Sequence, residues 1–172
     1  MGIKTRTTIR QATVGDAADL LAIYRPFVEN TAYSFEQVAP DNAQFASRIE
    51  SSLEDFEWLV IECDNVICGF AYANRHRARD AYRYSVDTSI YIRDDYQARG
   101  LGKLLYNALF ESLRSLGFHS AYAGIALPNE RSIALHKSVG FRHVGTFHEV
   151  GFKFAAWHDV SWWERRIQSP ES

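Results

Sequence analysis

The feature that most constrains this chain is the junction at residues 84–116. A run of β-forming residues (Tyr84 to Ile92) passes through a polar turn into Gln97-Ala98-Arg99-Gly100-Leu101-Gly102-Lys103. Directly behind that segment, Leu101, Leu104, Leu105, Ala108, Leu109, Leu113 and Leu116 recur at helical spacing. Gly117 stands where a C-terminal cap belongs. A strand, a glycine-rich turn and a long amphipathic helix in immediate succession require a layered α/β domain. Along the strand, Val86, Thr88, Ile90 and Ile92 share one face, while Asp87, Ser89 and Tyr91 share the other.

The remaining elements follow from the same periodicities. Ile3 to Ala12 reads as a first strand. Asp16 is placed to cap a helix bearing Leu20, Ile23, Tyr24, Phe27 and Val28, with Pro26 set to kink or end it. Asp41 or Asn42 starts a second helix through Phe45, Ile49 and Leu53. Trp58–Cys63 and Val66–Tyr72 form a hairpin about Asp64-Asn65. Ser120–Leu127 is a strand, Glu130–Val139 a short helix, and Arg142–Phe154 and Val160–Ile167 are two further strands. The order β-α-α-β-β-β-α-β-α-β-β predicts an α/β (mixed) sandwich of about seven strands and four helices. With 172 residues, no repeat and no internal linker, residues 1–172 form one domain, frayed over 168–172.

Charge and composition exclude some classes of function. A net charge of −2 provides no global field for nucleic acid or an anionic membrane. No apolar run spans a bilayer, and the residues from Met1 to Arg6 lack a signal-peptide core. The expected location is cytoplasmic. Cys63 and Cys68 read as small buried apolar residues, and the six histidines are not spaced for metal, so no metal site is expected.

The glycine-rich segment has three chemical readings besides a structural turn. A Walker loop needs Ser or Thr after the lysine, but Leu104 follows Lys103. A Rossmann fingerprint needs a third glycine, where Leu105 stands. The pattern [Gln/Arg]-x-x-Gly-x-[Gly/Ala] places unpaired helix-start N–H groups against a pyrophosphate, with Arg99 and Lys103 adding charge.

That third pattern, followed by Asn129, Ser132, Leu135, His136 and Gly140-Phe141, resembles the GNAT superfamily of N-acetyltransferases. The resemblance narrows further. Thr31 and Phe35, Ala81-Tyr82-Arg83, Leu127-Pro128-Asn129, Gly151-Phe152-Lys153 and Trp157-His158-Asp159-Val160 succeed one another as in phosphinothricin and methionine sulfone/sulfoximine acetyltransferases. It covers roughly residues 8–167.

The resemblance implies a GNAT fold, with a central mixed, mostly antiparallel sheet of about seven strands flanked by about four helices, and acetyl-CoA as cosubstrate. The cosubstrate is held by the backbone of Ile90, Tyr91 and Ile92, where the strand splays at a bulge. The segment Gln97, Ala98, Arg99, Gly100, Leu101, Gly102 and Lys103, with Asn129 and Ser132, completes that site. It implies Asp87 as base, where relatives carry Glu, and His136 as acid, where many GNAT enzymes carry Tyr. Tyr106 is a second candidate donor. Phe35, Arg77, Arg79, Tyr82, Lys153 and Trp157 are implied on the acceptor side, with Arg77 gripping a substrate carboxylate. Four departures stand out: His76 for Trp, Ala78 for Pro, and Ala155 and Ala156 for glycines. The expected partners are a small amine and a second copy of the chain. Rival readings are a peptide or polyamine acetyltransferase, a CoA-binding module without turnover, and an RNA-binding domain using the arginine-rich loop.

Overall fold

The computed structural model describes residues 6–168. Ile3–Thr5 of the expected first strand and 169–172 of the expected tail lie outside them. The chain builds β1 (Thr7–Gln11), α1 (Ala17–Asn30), α2 (Asn42–Asp55), β2 (Trp58–Cys63), β3 (Val66–Arg75), β4 (Ser85–Ile92), α3 (Leu101–Ser115), β5 (Ser120–Ala126), α4 (Glu130–Ser138), β6 (Arg142–Lys153) and β7 (Ala156–Arg166). The seven strands form one sheet in the order β1-β2-β3-β4-β5-β7-β6. Only β4 and β5 run parallel, which gives the mixed, mostly antiparallel sheet expected.

Each face of the sheet has its own core. On one, Leu101, Leu105, Tyr106, Leu109, Phe110 and Leu113 of α3 pack on Val86, Ala121, Phe141 and Trp163. On the other, Leu20, Ile23, Tyr24, Phe45 and Ile49 of α1 and α2 pack on Trp58, Val60 and Phe70. The expected α3 stripe needs correction. Leu104 and Leu116 are exposed, and Tyr106 and Phe110 take the buried places. The stripe is rotated toward α4, whose His136 meets the Tyr106 hydroxyl.

Two local expectations change as well. Pro26 lies inside α1 without ending it. The late carbonyls of the helix find side-chain donors: Thr31 Oγ1 donates to Phe27 O at 2.6 Å and Lys153 Nζ to Val28 O at 2.6 Å. These bonds hold the final turn past the missing N–H of Pro26. Asp16 makes no cap to α1. Its carboxylate accepts from Arg10 at 2.8 Å and from Thr13 N–H at 2.7 Å. By contrast, Asp41 and Gln44 form a reciprocal capping pair at α2.

The strands β3 and β7 are longer than their periodicity suggested, so Trp157-His158-Asp159 lies within a strand. β6 and β7 form a long hairpin that closes at Phe154-Ala155, both at positive φ. Asp64-Asn65 closes β2–β3 with the same handedness, using residues that tolerate it.

Candidate active site

The site is built around the point where β4 and β5 part. The two strands pair only over Ser85–Asp87 and Ser120–Tyr122, and β4 then continues to Ile92 without β5 beside it. Its other edge stays in unbroken register with β3. Arg93 N–H donates to Cys68 O and His76 N–H to Ser85 O. In an antiparallel ladder this phase commits the odd residues of β4 to β3 and turns the backbone of Thr88, Ile90 and Ile92 into the gap. Tyr91 is therefore a correction: its backbone is spent on Phe70, and its ring packs against Tyr24 and Phe27. The splay is present, but β4 carries no bulge. The nearby register shift falls between Ile61 and Glu62 of β2, where Cys68 is the extra residue on β3.

At the open end of the gap, a turn over Asp94–Tyr96 leads into Gln97–Lys103. Ala98 (φ 60°) and Gly100 (φ 79°) flank Arg99 in the left-handed region, and Gly100 is the residue before α3. No side chain caps this end, so the N–H groups of Leu101, Gly102 and Lys103 have no intrahelical acceptor. Such a concave run of N–H groups, aligned with a helix dipole, suits a pyrophosphate.

Gly102 has a second role. A Cβ there would lie 2.9 Å from Leu135, so its absence lets α3 close on α4. Lys103 and Arg99 are exposed, with Arg99 bonded to Asp95 O at 2.7 Å and lying over the Tyr96 ring. Gln97 donates to Ile92 O at 3.1 Å and accepts from Arg131 of α4. Arg131 is a cation beside this loop that sequence reasoning missed. No motif marks it, and only the packing of α4 brings it there. Asn129 caps α4, accepting from Ser132 N–H at 3.2 Å. Its side-chain NH₂ makes no bond among the described residues.

Asp87 is the last β4 residue paired with β5, and so stands at the apex of the gap. Its carboxylate meets His76 Nδ1 at 2.6 Å. Burial raises its proton affinity, while His76 and the nearby Arg77 oppose that. The His76 ring stacks on Tyr122 (centroids 4.4 Å apart) and meets the edge of Tyr82. Arg77 and Arg79 are exposed and form no ion pair among the described residues. A cavity of about 420 Å³ opens on the face that bears Asp87, lined in part by Tyr24, Arg48, Trp58, Tyr72 and Asn74, the register partner of Asp87.

Three expected roles do not fit the geometry. His136 is 3 % exposed; its Nε2 meets the Tyr106 hydroxyl at 2.9 Å and its Nδ1 meets Ser132 O at 2.7 Å. Desolvation lowers its proton affinity, so it sits as a neutral core histidine, packed behind α3 on the face opposite Asp87. It is no store of acid. Lys153 is 1 % exposed, and its ammonium donates to Val28 O and to Ser34 O at 2.7 Å. It pins α1 and the following loop to β6 and has no reach to a substrate. Trp157 is 59 % exposed and packs on Phe152, so it closes no pocket within this chain. Phe35 lies against Gly151, where a Cβ would meet it at 2.3 Å, and tilts over His158.

A gap between parting parallel strands, with the β4 backbone turned into it and an anion cradle at its open end, defines an acetyl-CoA-dependent N-acetyltransferase. Residues 9–162 match the family described as Acetyltransferase (GNAT) domain, and the chain belongs to that family. It is 35 % identical over 162 residues to a phosphinothricin N-acetyltransferase of Streptomyces viridochromogenes, covering 94 % of this chain and 88 % of that protein. It is 31 % identical over 167 residues to an L-methionine sulfoximine/L-methionine sulfone acetyltransferase of Pseudomonas aeruginosa, covering 96 % and 97 %. A solved structure from Salmonella typhimurium with its cofactor acetyl-CoA superposes with a TM-score of 0.91 at 32 % identity, covering 96 % of each chain. The phosphinothricin/methionine sulfoximine acetyltransferase-like subfamily is thus the one this chain belongs to.

Proposed function

We propose that the enzyme transfers acetyl from acetyl-CoA to the α-amine of a small amino acid analogue with a tetrahedral polar head, such as phosphinothricin, methionine sulfoximine or methionine sulfone. The reaction is a direct attack in a ternary complex. One observation carries this reading: Asp87 stands at the apex of the β4–β5 gap with the unpaired Arg77 close enough to perturb it. An anion within the field of a cation matches the ammonium and carboxylate of an amino acid. In this reading the N–H groups at the start of α3, with Lys103 and Arg131, hold the pyrophosphate, and the Ile90 backbone faces the pantetheine arm. Arg79 and Tyr82 border the acceptor, and the cavity beside Asn74 accepts part of its side chain.

A second copy of the chain is expected to cover the β6–β7 hairpin, where Val144, Phe147, Phe152, Phe154 and Trp157 stand exposed. Light scattering at working concentration should give twice the chain mass. No helix of the described residues is long and apolar enough to cross a membrane, in keeping with an enzyme of the cytoplasm.

The test is free-thiol release from acetyl-CoA over a panel of amines. The panel holds the three compounds above, ordinary amino acids, spermidine and a short peptide. Turnover confined to the tetrahedral-headed amino acids supports the reading. Preference for the peptide or for spermidine overturns the substrate class. Binding of acetyl-CoA with no turnover of any amine overturns the enzyme reading.

A further inference from the structure

We infer that His76 takes the proton from the acceptor ammonium, and that Asp87 is the residue that positions it. The inference rests on the acetyl-transfer reading above and deepens it. Asp87 and His76 form one arrangement: His76 Nδ1 lies 2.6 Å from Asp87 Oδ1. A carboxylate accepting from Nδ1–H fixes the tautomer and leaves the lone pair on Nε2.

The ring is also held in plane. It stacks on Tyr122 of β5 at an interplanar angle of 20°. The imidazole therefore bridges from the end of β3, past Asp87, to the strand across the apex. Its Nε2 makes no hydrogen bond among the described residues, yet it is not one of their sealed, unsatisfied atoms. An oriented, unpartnered and accessible nitrogen at the apex is what a proton acceptor needs. Arg77 and Asp87 are the charged groups beside it.

The proton count closes. One ammonium proton moves to His76 Nε2. The freed amine forms a C–N bond to the acetyl carbon, and the C–S bond breaks with its electron pair going to sulfur. The second amine proton follows to that sulfur, leaving an amide, a free thiol and a protonated His76. No separate acid is required, which agrees with His136 being closed within the core.

Two measurements test this. The first compares kcat of wild type, His76→Ala, His76→Phe and Asp87→Asn, with acetyl-CoA affinity by calorimetry as the check on folding. Loss of the base should lower kcat by about 100-fold or more in both His76 variants, with acetyl-CoA affinity within about twofold. Added imidazole should restore part of the rate to His76→Ala. A kcat for His76→Phe within about threefold of wild type overturns the proposal, since phenylalanine keeps the stack and removes the nitrogen.

The second measurement needs no acceptor, so it separates failure of this inference from failure of the substrate reading. Nitrogen-15 NMR of the neutral imidazoles should show His76 protonated on Nδ1, with that proton moving upfield in Asp87→Asn. An Nε2–H tautomer overturns the proposal whatever the amine panel gives.

Discussion

Arg77 separates binding from chemistry most cleanly among single residues. It is exposed, forms no ion pair among the described residues, and its field reaches Asp87. Arg77→Ala should raise KM for an amino acid acceptor by about 10- to 100-fold, the worth of a charge-assisted pair, and change kcat far less. Arg77→Lys should recover only part, because an ammonium has no fork. Steady-state kinetics on both variants checks this. Individual residues were also where sequence reasoning stopped soonest. The roles expected of Asp87 and Arg77 came from the family resemblance, to which the residues themselves added only that an acid mid-strand among apolar neighbours is unusual. Lys153 and His136 sit in equally specific motifs, yet both are spent internally, on backbone carbonyls and on Tyr106. Whether a side chain faces a ligand or the protein's own groups is decided by tertiary approach, across 125 residues for Lys153 and Val28 and across 30 for His136 and Tyr106, and spacing carries no trace of that.

Among the elements, the sheet was legible because alternation along β4 and helical spacing along α3 are local properties. The splay of β4 from β5 was not, since it depends on which strand lies across a gap. Two elements give predictions. The start of α3 gathers cations from two helices, so Lys103→Ala and Arg131→Ala should each weaken acetyl-CoA by a few-fold, and less so in high salt. Calorimetric titration at low and high ionic strength measures this. The β6–β7 turn places Ala155 at φ 56°, where a glycine would have no steric cost. Ala155→Gly should therefore raise stability by about 0.5–1 kcal/mol in denaturant unfolding, with acetyl-CoA affinity unchanged. The β2–β3 turn needs no such relief, since Asp64 and Asn65 accept the same conformation readily.

Over the whole molecule, the fold is fastened at its first strand by Arg10, which pairs with both Asp16 and Glu62. The Arg10 hydrogen bond lowers the Asp16 carboxyl from 3.8 to about 2. A depressed acid contributes stability above its unfolded value and loses it as pH falls through its folded one. Asp16→Asn should thus cost about 2 kcal/mol at neutral pH, and the gap to wild type should close between pH 4 and pH 2. Thermal melts across that range test the sign. Lys153 has a consequence at this scale too. An enzyme that handles an activated acyl donor is itself a bag of nucleophiles, and each free lysine is a site for self-modification. This chain carries four lysines against fifteen arginines, whose guanidinium groups stay protonated and take no acyl group. Of the four, Lys153 is sealed with its ammonium committed to two carbonyls. Prolonged incubation with acetyl-CoA followed by peptide mass spectrometry should find acetyl on Lys103 and Lys137 and none on Lys153. The same two carbonyl bonds that hold the loop after α1 in place thus withhold one amine from the enzyme's own donor.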